Sequence, residues 1–276
     1  MRFFESVLYG VLSGLAEFLP ISTQAHQVLC MQLFGAVQRE PLRDLFVHIA
    51  LIFALYHSCK ALFDRISREQ SVMQQSARKK MRLTPGKALF DLRLVRTAAI
   101  PMLLVSFIYL FAGKWESNPT AVSILLVING IILIIPEYMR HGNRDARAVS
   151  TIQAVLIGIA SGLSAFPGIS RIAGSISMST ACGADRQNTA NWALMLSIPA
   201  LAICILFDII NFFVIGFAGL TFLGFLGYLV SAIVAYFAGY FCIVLFRFLS
   251  EKAGFVVFAY YSWGAALFMF ILYLIT

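Results

Sequence analysis

Residues Gly10–Ser22 read GVLSGLAEFLPIS and residues Gly158–Ser170 read GIASGLSAFPGIS; they align without gaps and share Gly, Ser, Gly, Leu, Phe, Ile and Ser at seven of 13 positions. Each sits in a region that is apolar but interrupted halfway. Region 3–34 is broken by Pro20 and the polar run Ser22 to His26, and region 151–183 by Pro167, Gly168, Ser170 and Arg171. Because the matches include the break itself, the pair reads as an internal repeat and not as chance similarity between two oily helices. Proline, hydroxyls and charges are costly in hydrocarbon unless they face protein, water or a ligand. Both regions are therefore expected to dip into a membrane and return, as re-entrant helical hairpins.

The rest of the chain supplies the membrane part of that reading. Of 276 residues, 60% are hydrophobic and 12% charged, and the mean hydropathy is +0.85; a soluble domain carries about a quarter charged residues. Apolar segments long enough to cross a bilayer fall at about 44–59, 97–113, 120–136, 191–213, 220–246 and 254–275. The expected fold is an all-α integral membrane protein, a single membrane domain over 1–276. It has six transmembrane helices plus two re-entrant hairpins, with repeat A at about 1–137 and repeat B at about 151–276. Three crossings separate the two hairpins, an odd number, so the repeats are inverted relative to each other, a known way to build a polar site at the bilayer midplane.

The net charge of +8 does not point to nucleic acid, because ten of the 21 Lys and Arg lie between Lys60 and Arg96 with only three acids. That clustering is the positive-inside signal and assigns this segment, read as a loop, to the cytoplasm. The arginines of 137–150 (Arg140, Arg144 and Arg147) and the segment Arg247 to Lys252 then fall on the same side. Both termini come out external, the first hairpin enters from outside, and the second enters from inside. The five cysteines are scattered through apolar runs and read as packing residues. The start MRFFESVLYG lacks the features of a removable signal peptide, so none is expected.

At the first break stand Glu17, Ser22, Thr23, Gln24 and His26; at the second, Ser170, Arg171, Ser175 and Ser177. A guanidinium beside the free amides of a helix N-terminus suits an anion, and a phosphate in particular. Arg171 lies too deep in an apolar stretch to snorkel, at a cost of roughly 2.5 to 3.5 kcal/mol, so anion binding is its favoured reading. His26 can donate or accept a proton, Ser22 or Thr23 can act as nucleophile, and Glu17 can serve as base or as ligand to a divalent cation. The blander readings are a kink with its backbone patch for the hydroxyls, a structural pair for Glu17 and His26, and packing roles for His48, His57 and Asp208.

GLAEFLPIS followed by a histidine four residues on, and later PGISR, resemble the two signature regions of the undecaprenyl-diphosphate phosphatase family, the bacitracin-resistance type of integral membrane phosphatase. The resemblance covers nearly the whole chain. It implies two re-entrant hairpins in an inverted repeat and removal of the terminal phosphate from a C55 polyprenyl diphosphate, at the outer side of the bacterial cytoplasmic membrane. That activity recycles the lipid carrier for cell-wall synthesis. By the same resemblance Glu17 is the second acid of the family's paired carboxylates, Ser22 the first serine after the proline, His26 the histidine, and Ser170 and Arg171 the serine–arginine pair. The chain departs from the pattern at Ser13, which stands at the first acid, and at Thr23, Gln24, Ala25, Ile172 and Ala173. It is a divergent member.

The leading expectation is a polyprenyl-diphosphate phosphatase. Arg171, Ser170, Gln24 and Ser175 hold the phosphates, and Glu17 orients a base or a Mg2+ or Ca2+ ion shared with the substrate. Thr23, Ser22 or a water attacks, and His26 protonates the leaving phosphate. The alternative is a transporter or flippase of polyprenyl phosphate that uses the same anion site without hydrolysis.

Overall fold

The computed structural model describes residues 3–34, 40–108, 115, 118–139, 142–215, 221–252 and 254–275. Residues 109–113 of one expected span, residues 114, 116 and 117 after it, residue 220 and Arg140 lie outside them. Regular structure among the described residues is helical: α1 (Phe3–Phe18), α2 (Thr23–Phe34), α3 (Pro41–Ser58), α4 (Lys60–Arg78), α5 (Lys87–Ser106) and α6 (Pro119–Tyr138), then α7 (Thr151–Gly162), a 3-10 turn Leu163–Ala165, α8 (Arg171–Ala181), α9 (Arg186–Ile215), α10 (Phe222–Lys252) and α11 (Val256–Ile275). Helix starts follow local chemistry. Asn118 caps α6 ahead of Pro119, Ser150 and Gln153 form a capping box on α7, and Ser170 caps α8.

Four helices, α6, α9, α10 and α11, are long and apolar enough to cross a membrane alone; α3 and α4, bent 73° at Cys59, make a fifth if taken as one broken span. Phe213 on α9, Phe237 on α10 and Leu267 on α11 face outward, all more than 60% exposed, a surface suited to lipid. Two expectations need correcting. The basic segment 60–96 is not a loop: residues 60–78 form α4, stabilised by Arg65 and Glu69 one turn apart at 3.0 Å. Glu69 also accepts from the Leu89 N–H at 3.2 Å, which ties α4 to the start of α5. The span expected at 97–113 begins ten residues earlier, at Lys87, because hydropathy registers only the oily part of a helix whose polar first turns continue the same backbone.

The packing uses the glycines of the repeat. A Cβ at Gly10 would stand 2.4 Å from the Ser231 carbonyl oxygen, and one at Gly14 would stand 2.6 Å from Ala238 Cβ, so α1 presses directly on α10. In the same way a Cβ at Gly158 would lie 2.1 Å from the Ala98 oxygen, and one at Gly162 2.7 Å from the Met102 oxygen, so α7 presses on α5. Such small-residue faces let helices approach closely where no hydrophobic drive between them exists. α3 lies against α9 and α10, α6 against α11, and α8 is enclosed by α6, α7 and α9. The main core collects Phe18, Ile172, Ile176, Leu194 and Ile243 around the two breaks.

Gly14→Leu and Gly158→Leu should each lower the melting temperature of the detergent-solubilised protein, by the equivalent of roughly 1–3 kcal/mol of overpacking. Gly264→Leu should leave it unchanged, because a Cβ there meets nothing within 4 Å; equal melting of all three would refute the close approach.

Candidate active site

Both breaks restart as helices at aligned residues, Thr23 for α2 and Arg171 for α8, and their side chains converge on Glu17. Glu17 sits in the last turn of α1. Its Oε1 accepts from an Arg171 terminal nitrogen at 2.8 Å, and its Oε2 accepts from the Thr23 hydroxyl at 3.0 Å. The same Arg171 nitrogen donates to Ser197 Oγ of α9 at 3.0 Å. The ion pair is well withdrawn from the surface, with side-chain exposures of 12% for Arg171 and 11% for Glu17, so each charge depends on the other for compensation. A carboxylate holding a hydroxyl hydrogen at this distance can take the proton if the oxygen attacks an electrophile.

The backbone of the breaks is held by a second set of bonds. Ser22 has φ +62°, a left-handed conformation that is strained for a residue with a Cβ. It is fixed from several directions: Ser22 Oγ accepts from the Gly168 N–H at 3.1 Å, across the repeats, and from the Ala25 N–H at 3.5 Å. Its carbonyl accepts from His26 Nδ1 at 2.8 Å. Gly168, at the position aligned with Pro20, has φ +125° and could not carry a side chain, since a Cβ would meet Leu125 Cβ at 2.5 Å. Asn129, fully buried in the middle of α6, donates to the Pro20 carbonyl at 3.0 Å and to Ser262 Oγ at 3.1 Å, and accepts from the Ser170 N–H at 2.8 Å.

The expected residues therefore separate. Glu17, Thr23 and Arg171 are brought into direct contact. Ser22 uses its oxygen to accept two backbone N–H groups, and Ser170 uses its hydroxyl to cap α8 through the Ala173 N–H at 3.5 Å; both serve the scaffold in this arrangement. His26 bonds to Ser22 and Tyr261, not to Glu17. The Ser22 carbonyl only accepts, so Nδ1 carries a proton, and in the neutral ring Nε2 accepts from the Tyr261 hydroxyl at 2.7 Å, with the two rings stacked. Gln24 Oε1, Ser175 Oγ, Ser13 Oγ and Arg171 Nε are buried without a hydrogen-bond partner among the described residues. Ser175 is one turn from Arg171 and Ser13 one turn from Glu17, so these spare groups flank the ion pair. Groups left open in this way are characteristic of a site that binds something.

Ser197, Asn129 and Tyr261 are site residues that the sequence reading missed. Arg43 is a further buried charge that the sequence reading missed: it is buried to 1%, with its guanidinium 3.6 Å from the Tyr9 ring centroid and Nε 3.3 Å from Asp44. Asp44 also accepts from the Tyr9 hydroxyl at 2.5 Å. His48 and Asp208, read as packing residues, form a pair at 2.6 Å between α3 and α9. A cation site on Glu17 is not supported by the donor set. Both Glu17 oxygens are engaged, and no group of three or more His, Cys, Asp or Glu among the described residues could hold a metal.

A multi-pass helical membrane protein whose interior joins a carboxylate, a hydroxyl and a guanidinium at two helix breaks is the class that fold and site define. The family profile described as Bacitracin resistance protein BacA matches residues 6–268, and the chain belongs to that family. It is 28% identical over 272 residues to a protein of Halothermothrix orenii named undecaprenyl-diphosphatase, covering 99% of this chain and 98% of the relative. It is 28% identical over 211 residues, 76% of each chain, to one of the same name from Treponema denticola. It is 27% identical over 279 residues, 97% of each chain, to another from Desulforapulum autotrophicum.

Replacing Glu17 by Leu should lower thermal stability by roughly 3–5 kcal/mol, because Arg171 is left buried and uncompensated. The double variant E17L/R171L should recover a large part of that loss. Additive losses in the double variant would show that the two charges do not depend on each other.

Proposed function

We propose that the chain hydrolyses undecaprenyl diphosphate to undecaprenyl phosphate and inorganic phosphate, with Glu17, Thr23 and Arg171 as its reacting centre. The observation that carries this assignment of roles is the Thr23 hydroxyl resting on Glu17 while Arg171 holds the other oxygen of the same carboxylate. Thr23 Oγ attacks the terminal phosphorus, its proton passes to Glu17, and the bond from phosphorus to the bridging oxygen breaks, releasing the lipid monophosphate. Glu17 hands that proton to the bridging oxygen of the departing lipid monophosphate and, ionised again, takes a proton from the water that cleaves the phosphothreonine, which releases inorganic phosphate and restores the Thr23 hydroxyl. Arg171, with its free Nε, together with Ser175 and Gln24, neutralises and orients the phosphoryl oxygens, the largest contribution expected in this chemistry. His26, expected to protonate the departing phosphate, has its Nδ1–H committed to the Ser22 carbonyl and its Nε2 accepting from Tyr261, so it holds the first break in place and the proton comes from Glu17. No step requires a protein-bound cation. The lipid tail lies between helices.

The architecture proposed with this function has α1–α2 and α7–α8 as re-entrant hairpins of two inverted repeats, with α3, α5, α6, α9, α10 and α11 crossing the bilayer. It is supported by the exchange in the packing: α1 of the first half lies on α10, the second crossing helix of the second half, and α7 of the second half lies on α5, the second crossing helix of the first. The same reading sets the protein in the bacterial cytoplasmic membrane with its site accessible from the external face, and the clustering of Lys and Arg in 60–96 supports a cytoplasmic side for that segment. The transporter reading finds no support: the relatives carry the name of a hydrolase, and Thr23 on Glu17 serves no purpose in mere passage of an anion.

Purified protein given a short-chain polyprenyl diphosphate should release phosphate. Thr23→Ser should retain most of the rate, Thr23→Val should lose roughly 10^3-fold or more, and Arg171→Ala should abolish substrate binding. Undiminished turnover by Thr23→Val would remove the nucleophile assignment, and unchanged affinity of Arg171→Ala would remove the anion site. No phosphate release by wild type, together with protein-dependent movement of polyprenyl phosphate across proteoliposomes, would overturn the enzyme reading.

A further inference from the structure

The two breaks belong to elements separated by more than 140 residues of sequence, yet the chemistry needs Arg171 from one within a hydrogen bond of Glu17 from the other. We infer that Asn129 is a positioning residue for that chemistry: a clasp on a through-going helix that takes hold of both breaks with one side chain and so sets the separation of Arg171 from Glu17 and Thr23. Three features carry the inference. First, its two functional atoms face partners that admit only one assignment, because the Pro20 carbonyl can only accept and the Ser170 N–H can only donate. Second, these partners are the peptide groups next to the reacting residues, Ser170 adjoining Arg171 and Pro20 lying midway between Glu17 and Thr23. Third, Asn129 is fully buried in an otherwise apolar helix, where an amide is retained only at a cost unless its bonds are made. Ser262, also fully buried, accepts from the same Nδ2 and keeps the amide turned toward the breaks.

The direct contact from Ser22 Oγ to the Gly168 N–H joins the same two breaks, but it runs between two irregular segments. Asn129 differs because α6 is a regular helix packed along α11, so it references both segments to one rigid body. Loss of the clasp should leave the fold and the lipid-binding surface in place while letting the breaks shift relative to each other, and misplacement of reacting groups by about 1 Å can cost on the order of 100-fold in rate.

For the catalytic readout the inference rests on the diphosphatase reading above, so the test pairs it with a structural readout that does not. Asn129→Leu, which keeps the size and removes all three bonds, should lower kcat on a short-chain polyprenyl diphosphate by roughly 10- to 100-fold with KM changed less than about threefold. Leu133→Ala, a cavity variant at a fully buried position one turn along α6, should lose comparable thermal stability and keep its kcat. In parallel, spin labels at Met31→Cys on α2 and Ile159→Cys on α7, both on exposed faces, should give a narrow distance distribution in the wild-type background and a broadened one with Asn129→Leu. Equal kcat losses in Asn129→Leu and Leu133→Ala would reduce Asn129 to a stability residue and overturn the inference. An unchanged distance distribution in Asn129→Leu would overturn it too, whether or not the protein proves to be a diphosphatase. If the wild type releases no phosphate, the diphosphatase reading falls, and the distance measurement alone decides on the clasp.

Discussion

The rest of the structure depends on one ion pair formed where ions are expensive. Glu17 and Arg171 are 154 residues apart in sequence and meet at 2.8 Å in a protein whose surroundings are mostly hydrocarbon-like. Neither charge can be taken from water alone without a penalty of several kcal/mol, and their mutual attraction offsets it only if the remaining polar atoms are also satisfied. Thr23 satisfies the second oxygen of Glu17 and Ser197 shares the bonding nitrogen of Arg171, while Nε is left open. A fully closed network would be a structural device. In this network Arg171 Nε stays open within the ion pair itself, a donor left for an incoming acceptor such as a phosphate oxygen.

To bring that pair together the chain breaks two helices inside a membrane, and each break frees backbone groups that lipid cannot satisfy. The structure accounts for several of them. The Pro20 carbonyl and the Ser170 N–H go to Asn129, the Gly168 N–H goes to Ser22 Oγ, and the Ser22 carbonyl goes to His26. The strained φ of Ser22 goes with this arrangement, in which its hydroxyl and carbonyl serve both the second break and the first turn of α2. Residues of the kind usually labelled catalytic in such motifs thus divide by what their atoms are already doing. A hydroxyl that accepts two backbone N–H groups is a strut, and a hydroxyl that donates to a carboxylate is a poised nucleophile.

Much of this was legible in the sequence, for a physical reason: a polar break in an apolar run is a local event, visible wherever it falls. The aligned pair at Gly10 and Gly158, the breaks themselves, and Glu17, Thr23 and Arg171 as a chemical set all belong to that class. Asn129, Ser197 and Tyr261 could not be seen, because each is a single polar residue in a long oily helix and its meaning lies in a partner 26 to 235 residues away. A lone asparagine in the middle of an apolar span is the one signal that could have been used, since an amide has no reason to be there without a partner. Arg43 escaped for a different reason. It adjoins Asp44 in a short, charged helix start that reads as interfacial, yet Tyr9 folds over it and buries it. The basic segment 60–96 was misread as a loop because charge patterning reports the side of the membrane and says nothing about backbone conformation.

Ser13 gives the charge of the site its particular character. It lies one turn before Glu17 on α1, at the position where the family resemblance puts a first acid, and its buried hydroxyl has no partner among the described residues. Two carboxylates and one guanidinium would leave the pocket with a net charge of −1, and an anionic diphosphate could enter such a pocket only with a cation to screen the repulsion. With serine there, Glu17 and Arg171 cancel. The pair carries no net charge, and the spare Nε of Arg171 and the neighbouring hydroxyl of Ser175 face no second acid at position 13. The same exchange removes a ligand that a divalent ion would need and lowers the electrostatic demand for one, so the single substitution changes both sides of the balance together. The threonine at 23 fits this lower-charge design: its hydroxyl donates to one oxygen of the single carboxylate, whose other oxygen is already committed to Arg171.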